Sequence, residues 1–155
     1  MLQRIQSIYL LLASLVILGL FLFPLVHNVY VNNQPRTIMV TGIFQEANGQ
    51  QVHTEFFVPL TVATVVAGLL PLIIIFLYKN RKQQIAMCYG TMLVIIGYSF
   101  WVSQTVKNAI QDTYLAMNNY GIGIILLSVS ILLVVLAQKA IQRDEKLVKS
   151  ADRLR

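Results

Sequence analysis

Residues 57–78 read FVPLTVATVVAGLLPLIIIFLY, a run without a single Asp, Glu, Lys or Arg. A helix rising about 1.5 Å per residue crosses a hydrocarbon core of about 30 Å in roughly 20 residues. Residues 5–26, 85–106 and 118–138 have the same length and character. All eighteen charged residues lie outside the four runs, which predicts an all-α membrane protein with a bundle of four transmembrane helices.

The composition points the same way. The 155 residues are 57% hydrophobic and only 12% charged, whereas soluble domains carry about twice that share of charge. Four spans leave no room for a separate soluble domain. Residues 1–155 are therefore predicted to form one polytopic membrane domain, with an outer loop at 27–56 and a tail at 139–155.

The positive charges crowd onto alternate connections between the runs. In a four-span threading ten of the twelve Lys and Arg residues fall on one side: Arg4, Lys79, Arg81, Lys82, Lys139, Arg143, Lys146, Lys149, Arg153 and Arg155. Only Arg36 and Lys107 fall on the other side. Basic residues near span ends stay in the cytoplasm, so both termini are predicted to be cytoplasmic, in a bacterial inner membrane. Attraction to anionic lipid headgroups completes the account of the net charge of +6, and no nucleic-acid partner is predicted.

Small residues recur at helical spacing in the first two runs. Ser7 and Ser14 lie on one face of the first, and the second carries the pairs Ala63/Ala67 and Thr64/Gly68. Such positions let helix backbones approach closely. They are candidate packing residues, against neighbouring helices of this chain, another membrane protein or a second copy.

The outer loop is rich in β-branched and aromatic residues. Residues 29–31 and 37–44 read as strands, residues 32–35 as a turn, and Asn48-Gly49 as the turn of a hairpin that continues through 51–56. This predicts a small antiparallel β-hairpin or sheet on the outer membrane surface. A partly ordered loop is the alternative, since isolated hairpins are marginal without a packing surface.

The third run is the most polar of the four. Tyr98, Ser99 and Gln104 are candidate ligand-facing residues, lining a cavity between the second and third spans, where Pro71 is expected to kink the second helix. Hydrogen bonds between helices and solvation of the helix end account for the same side chains without a ligand.

Few residues suited to chemistry are present. Ion-coupled transport and proton relays use ionisable side chains inside the spans, and this chain has none there. His27 and His53 fall in the outer loop, where Glu46 or Glu55 would have to complete a metal site, a weak pattern without a fixed third ligand. No catalytic, cofactor or metal site is predicted, and the protein is not expected to be an enzyme.

The tail at 139–155 is predicted to be a cytoplasmic helical extension. Ile141, Val148, Ala151 and Leu154 form an apolar stripe, which suits contact with the membrane surface or a partner protein; a solvated helix end is the alternative. The candidate cytoplasmic contact residues are Lys79, Arg81, Lys82, Arg143, Lys146, Lys149, Arg153 and Arg155.

The two ends of the chain resemble those of a known family. The opening MLQRIQSIYL (residues 1–10) and the closing DEKLVKSADRLR (144–155) are similar to the ends of small bacterial inner-membrane proteins grouped as domain of unknown function 4293. The resemblance covers the whole chain and implies a four-helix inner-membrane protein of unassigned biochemistry, with no active-site residues to carry over.

These patterns favour a non-catalytic accessory, scaffold or assembly subunit of a membrane complex. Its contacts would be other membrane helices or a second copy, cytoplasmic proteins and anionic lipid. The alternative is a binder or carrier of lipid or of a small hydrophobic ligand, using the cavity between the second and third spans.

Overall fold

A computed structural model describes residues 2–31, 34–47, 50–78, 80–110 and 116–153. The protein is mostly helical and carries one small antiparallel sheet. Its helices are α1 (Leu2–Leu18, followed by the 3-10 turn Gly19–Phe21), α2 (Val58–Phe76), α3 (Arg81–Ile110) and α4 (Ile122–Arg153), the last preceded by the 3-10 turn Met117–Asn119. Its strands are β1 (Val26–Val31), β2 (Gln34–Met39), β3 (Gly42–Ala47) and β4 (Gln50–Phe56).

Three helices are long and apolar enough to cross a membrane, judged by length and composition: α2, α3, and α4 as far as Val148. The first is a shorter apolar helix, Ile5–Phe21 in its apolar part. Together α1 and its 3-10 turn rise about 30 Å, because each α-helical residue adds about 1.5 Å and each 3-10 residue about 2 Å. That length includes residues 2–4, and the apolar part alone is shorter than the three helices that qualify as spans.

The first helix ends earlier than the predicted boundary at residue 26. Pro24 has no N–H to continue a helix, and the N–H of Leu25 already donates to the carbonyl of Ile38 in the sheet. Val26 is the first residue of β1. From Leu25 onward, the end of the apolar run therefore pairs with the sheet instead of continuing the helix.

The outer-loop segment forms a four-stranded meander in the order β1-β2-β3-β4, which confirms the predicted antiparallel sheet. The predicted strand at 37–44 is divided in two, because the chain turns at Val40-Thr41 and Met39 pairs with Gly42. Gly42 has a φ of 154°, and a Cβ there would run into the carbonyl oxygen of Glu55. The predicted Asn48-Gly49 turn lies outside the described residues, although Ala47 and Gln50 on either side are paired.

Each helix has two main helical neighbours. The first packs on α2 and α4, and α3 packs on the same two helices, so the contacts run round a ring. The sheet lies at the end of the helices where α1 finishes and α2 begins: the N–H of Phe57 donates to Thr41, and the Thr61 hydroxyl donates to Val40. This end is termed the sheet end and the opposite one the tail end.

The last two helices exceed their predicted spans. The third covers Arg81–Ile110 rather than 85–106. The fourth begins at Ile122, later than 118, and then runs unbroken through Arg153. At 1.5 Å per residue α4 is about 48 Å long, far more than a hydrocarbon core. The predicted helical extension of the tail is therefore a direct continuation of the fourth helix.

Candidate functional site

The small residues of the first two helices meet each other. The Ser14 hydroxyl donates to the carbonyl of Gly68 over 2.6 Å, and a Cβ on Gly68 would lie 2.9 Å from Leu18 Cδ2. Thr64 and Ala67 are buried on the same helix, and Ala63 is partly buried against the core. The predicted packing face is thus occupied by helices of this chain. Ser7 is half-buried nearer the tail end.

The three candidate ligand-facing residues separate in space. Tyr98 is buried, and its hydroxyl lies 2.6 Å from that of Thr64, which itself donates to the carbonyl of Leu60. Ser99 is half-buried and donates to the carbonyl of Ile95, and Gln104 is exposed. Tyr98 therefore joins α2 to α3 through a hydrogen bond between helices.

The cavity beside Ser99 lies between α3 and α4, not between the second and third spans as predicted. Its volume is about 360 Å³. The described residues that line it, here called the α3–α4 groove, are Ser99, Val102, Ser103, Val106, Lys107, Ile110, Tyr120, Ile124, Leu127, Ser128 and Ile131. Tyr98 faces α2, where its hydroxyl meets that of Thr64, while Ser99 lines the cavity beside α4.

The α3–α4 groove is amphipathic. Its buried wall is aliphatic and includes Val102, Val106 and Leu127. Lys107 and Tyr120 stand near its sheet end, and both are exposed. Lys107 is the one cation among the described lining residues, which include no carboxylate. The groove therefore offers a positive mouth and an apolar interior.

A polar cluster ties the tail end together. Gln6 Nε2 donates to Asp144 Oδ2 over 2.6 Å, and these residues are only 4% and 6% exposed. Arg81 Nη1 reaches the backbone carbonyl of Asp144 at 3.4 Å, and Gln84 Nε2 donates to the carbonyl of Ile74 at 3.2 Å. Sequence reasoning missed Gln6 and Asp144. The available signal was the position of Asp144 three residues after Ile141, on the buried face of the same helix.

A second cavity, of about 570 Å³, opens beside this cluster. The described residues lining it are Gln6, Ser7, Ile8, Ile75, Phe76, Tyr78 and Gln84. Both glutamine side chains already donate to protein oxygens. The cavity has no charged residue among those lining residues, so it offers less for recognising a ligand than the α3–α4 groove.

The two histidines lie on opposite edges of the sheet. His27 belongs to β1 and His53 to β4, and three strand spacings separate those strands, about 14 Å. One metal ion bonds each histidine nitrogen at about 2 Å, so the two cannot share it in this arrangement. The His53 ring instead packs between Phe44 and Phe56, at centroid distances of 4.3 and 3.9 Å. Glu55 is exposed, and the side chain of Glu46 is not described.

The six candidate cytoplasmic contact residues that the structure describes lie at the tail end. Lys82, Arg143 and Lys146 are exposed, whereas Arg81 is half-buried against α4. Lys149 and Arg153 are placed on α4 without a described side chain, and Lys79 and Arg155 lie outside the described residues. Beside the exposed cations, Leu147 is 50% and Val148 44% exposed. This part of α4 therefore presents apolar and basic side chains together.

Comparison with known proteins identifies a family without assigning a role. The family model described as Domain of unknown function (DUF4293) matches residues 2–154, essentially the whole chain. No curated protein matches the chain.

Proposed function

We propose that this chain, which belongs to the DUF4293 family, is a non-catalytic accessory, scaffold or assembly subunit of a membrane complex. In this proposal α1–α4 form a four-helix bundle across a bacterial inner membrane. The sheet lies on the outer side, and both termini are cytoplasmic. The end of α4 then projects from the membrane and contacts a partner.

The membrane placement is supported by the surface of the helices. Large apolar side chains such as Leu93, Phe100 and Leu132 are more than half exposed, which costs free energy in water but not in lipid. The bond between Arg81 and Asp144 puts the turn after α2 and the tail at one end. Most of the basic residues then share that end, as the positive-inside rule requires of the cytoplasmic side.

The accessory role is supported by the hydrogen bonds that polar side chains form between the helices. Ser14 joins α1 to α2, Thr64 joins α2 to α3, and Gln6 joins α1 to α4. Arg81 adds a bond from α3 to α4. All four neighbouring pairs in the ring thus carry a hydrogen bond, and these polar groups hold the helices rather than face a substrate.

The end of α4 is the surface left for a partner. One face of the helix is buried as far as Asp144, and beyond it Leu147 and Val148 are exposed. A segment lying flat on the membrane would need a bend where it leaves the span, but α4 is one helix from Ile122 to Arg153. This continuity favours a protein partner over the lipid surface for the tail.

Site-specific photo-crosslinking in native membranes tests the role. A photoreactive residue at position 147 should give one discrete protein adduct, either a partner or a second copy. The same residue at position 136, which is exposed within the apolar part of α4, is the matched control and should give none. Lipid alone crosslinked at both positions would contradict the proposal.

Co-purification in mild detergent supplies the second measurement. Exchanging Leu147 and Val148 together for Ser should lower recovery of the crosslinked species about tenfold, because both apolar contacts are lost. Ser150→Ala, an exposed change in the same segment, should leave it unchanged. A monomer that retains its function with the tail altered would argue against an accessory role.

One observation favours the alternative of a lipid or small hydrophobic ligand binder. The chain does have a cavity with apolar walls next to Ser99, although between α3 and α4. Its lining is specific enough to support a separate inference.

A further inference from the structure

We propose that the α3–α4 groove is a binding site for one anionic phospholipid. The phosphate lies at Lys107 and Tyr120, and one acyl chain lies between the helices. This inference goes beyond the accessory role and does not depend on it, since a structural lipid is compatible with either outcome of the crosslinking experiment.

The groove is deep enough for the upper part of an acyl chain. Ser99 and Lys107 are eight residues apart on α3, a rise of about 12 Å, and Ile124 and Ile131 mark a similar length on α4. The groove volume of about 360 Å³ lies within the range of small-ligand pockets, roughly 300–1,000 Å³. Its buried aliphatic wall cannot hydrogen-bond to a ligand, so it suits a hydrocarbon chain.

The mouth of the groove complements a phosphate diester. Lys107 supplies a cation, and Tyr120, which also lines the cavity, carries a hydroxyl that can donate. Ser103 lies one turn deeper, about 6 Å along α3, at the depth of ester carbonyls beneath a phosphate. Because the described lining has no carboxylate, nothing among these residues repels the anion.

Two simpler occupants fit less well. A lysine that only snorkels to the interface needs no cavity beside it, whereas Lys107 borders one. A soluble anion would use the lysine and the hydroxyls but gains nothing from the aliphatic wall. A diacyl anionic lipid accounts for the cation, the hydroxyls and the wall together.

Lipid retention by the purified full-length protein tests the inference. The protein is loaded with equal amounts of phosphatidylglycerol and phosphatidylcholine of identical chains, and retained lipid is counted by native mass spectrometry. We expect one tightly held lipid, phosphatidylglycerol. Lys107→Gln should weaken its retention about fivefold, the effect of one lysine at an anionic surface. Lys82→Gln, an exposed cation at the tail end, is the matched control and should change nothing.

A steric pair tests the location of the chain. Ser103→Trp should fill the groove and abolish retention, while Gln104→Trp should leave it intact, because Gln104 is exposed like Ser103 but does not line the groove. Equal melting temperatures for the two variants show that both are folded. If Ser103→Trp does not fold, a photoactivatable phosphatidylglycerol gives a second reading, with adducts expected on peptides from 99–110 and 120–131.

Several results would overturn the inference. If phosphatidylcholine were retained as well as phosphatidylglycerol, the headgroup charge would not determine binding. If Lys82→Gln weakened retention as much as Lys107→Gln, the lipid would be attracted only by the net charge of the protein. Unchanged lipid retention in Ser103→Trp, or adducts spread over all helices, would rule out the groove as the binding site. Displacement of the lipid by excess inorganic phosphate would indicate a soluble-anion site instead.

Discussion

Gly121 lies against the segment that joins α1 to β1. Its N–H donates to the carbonyl of Leu25 over 2.8 Å, and a Cβ on it would collide with the carbonyl oxygen of Pro24. Gly123 repeats the approach, with its N–H on Pro24 and its Cβ position 2.8 Å from the same oxygen. These two glycines therefore allow the start of α4 to touch the segment between α1 and β1.

Gly121→Ala should lower the free energy of unfolding by about 2 kcal/mol, since backbone must shift to admit the methyl group. Gly97→Ala is the control: it lies in α3 with open space around its Cβ position. It should be neutral or stabilise the helix by up to about 1 kcal/mol. Unfolding in detergent micelles, followed by circular dichroism, measures both. Equal stability of the two variants would show that the close approach of Gly121 to Pro24 does not affect the free energy of unfolding.

The Gln6–Asp144 pair predicts a coupled loss. Asp144→Ala leaves the buried amide of Gln6 without its acceptor, at a cost of about 1–3 kcal/mol. Asp144→Asn keeps an acceptor oxygen and should cost less. In a double-mutant cycle, Gln6→Ala should add little to Asp144→Ala. Fully additive losses would mean that the two side chains do not interact.

Sequence reasoning at this scale worked best for small residues and worst for charged ones. Ser14 and Gly68 were chosen for packing, and they do contact each other, because small size has one main use between helices. Asp144 was counted only as a charge beyond the spans. Its burial depends on Gln6 in the first helix, 138 residues away in the chain, which no local pattern records.

Among the elements, helix existence was predictable but helix ends were not. Charge-free runs of span length reflect the solvent around a helix, so they appear in the sequence directly. The ends of the helices depend on contacts with other elements. The first element ends where the N–H of Leu25 bonds to Ile38 in the sheet. Arg81 and the end of α3 extend beyond the apolar run because helical backbone bonds continue outside it.

The contact between α2 and α3 gives an element-scale prediction. Tyr98→Phe removes the hydroxyl that meets Thr64 and should destabilise the protein by about 0.6–1 kcal/mol, the usual size of such bonds between membrane helices. Tyr89→Phe, an exposed tyrosine on the same helix, is the control and should have no effect. If Tyr98→Phe melted at the same temperature as the unaltered protein, the Thr64–Tyr98 hydrogen bond would make no net contribution to stability.

For the whole molecule, the proposed topology puts the sheet and the tail on opposite sides of the membrane. In a Cys88→Ala background, Thr54→Cys and Ser150→Cys place single thiols at exposed positions of β4 and α4. A membrane-impermeant maleimide should label position 54 in intact cells, and position 150 only after permeabilisation. Labelling of both in intact cells, or of neither, would refute the predicted orientation.

The sheet and the order of elements followed from sequence, whereas the α3–α4 groove did not. Its walls come from two helices and include residues such as Ser99 and Ile131, far apart in the chain. Which faces of two helices meet depends on how each helix is rotated about its axis. The polar residues of α3 occur on several faces, so they did not indicate which face packs against α4. The cavity between α3 and α4 was therefore not predicted.

The seam between α1 and α4 is joined at both ends, by Gln6 with Asp144 and by Leu25 with Gly121. The ribosome releases α1 well before α4, because β1–β4, α2 and α3 lie between them in the chain. During synthesis the face of α1 that α4 covers therefore stays open until α4 has been made and can pack against it. A chain cut short before residue 122 would lack α4 and would leave that face of α1 uncovered.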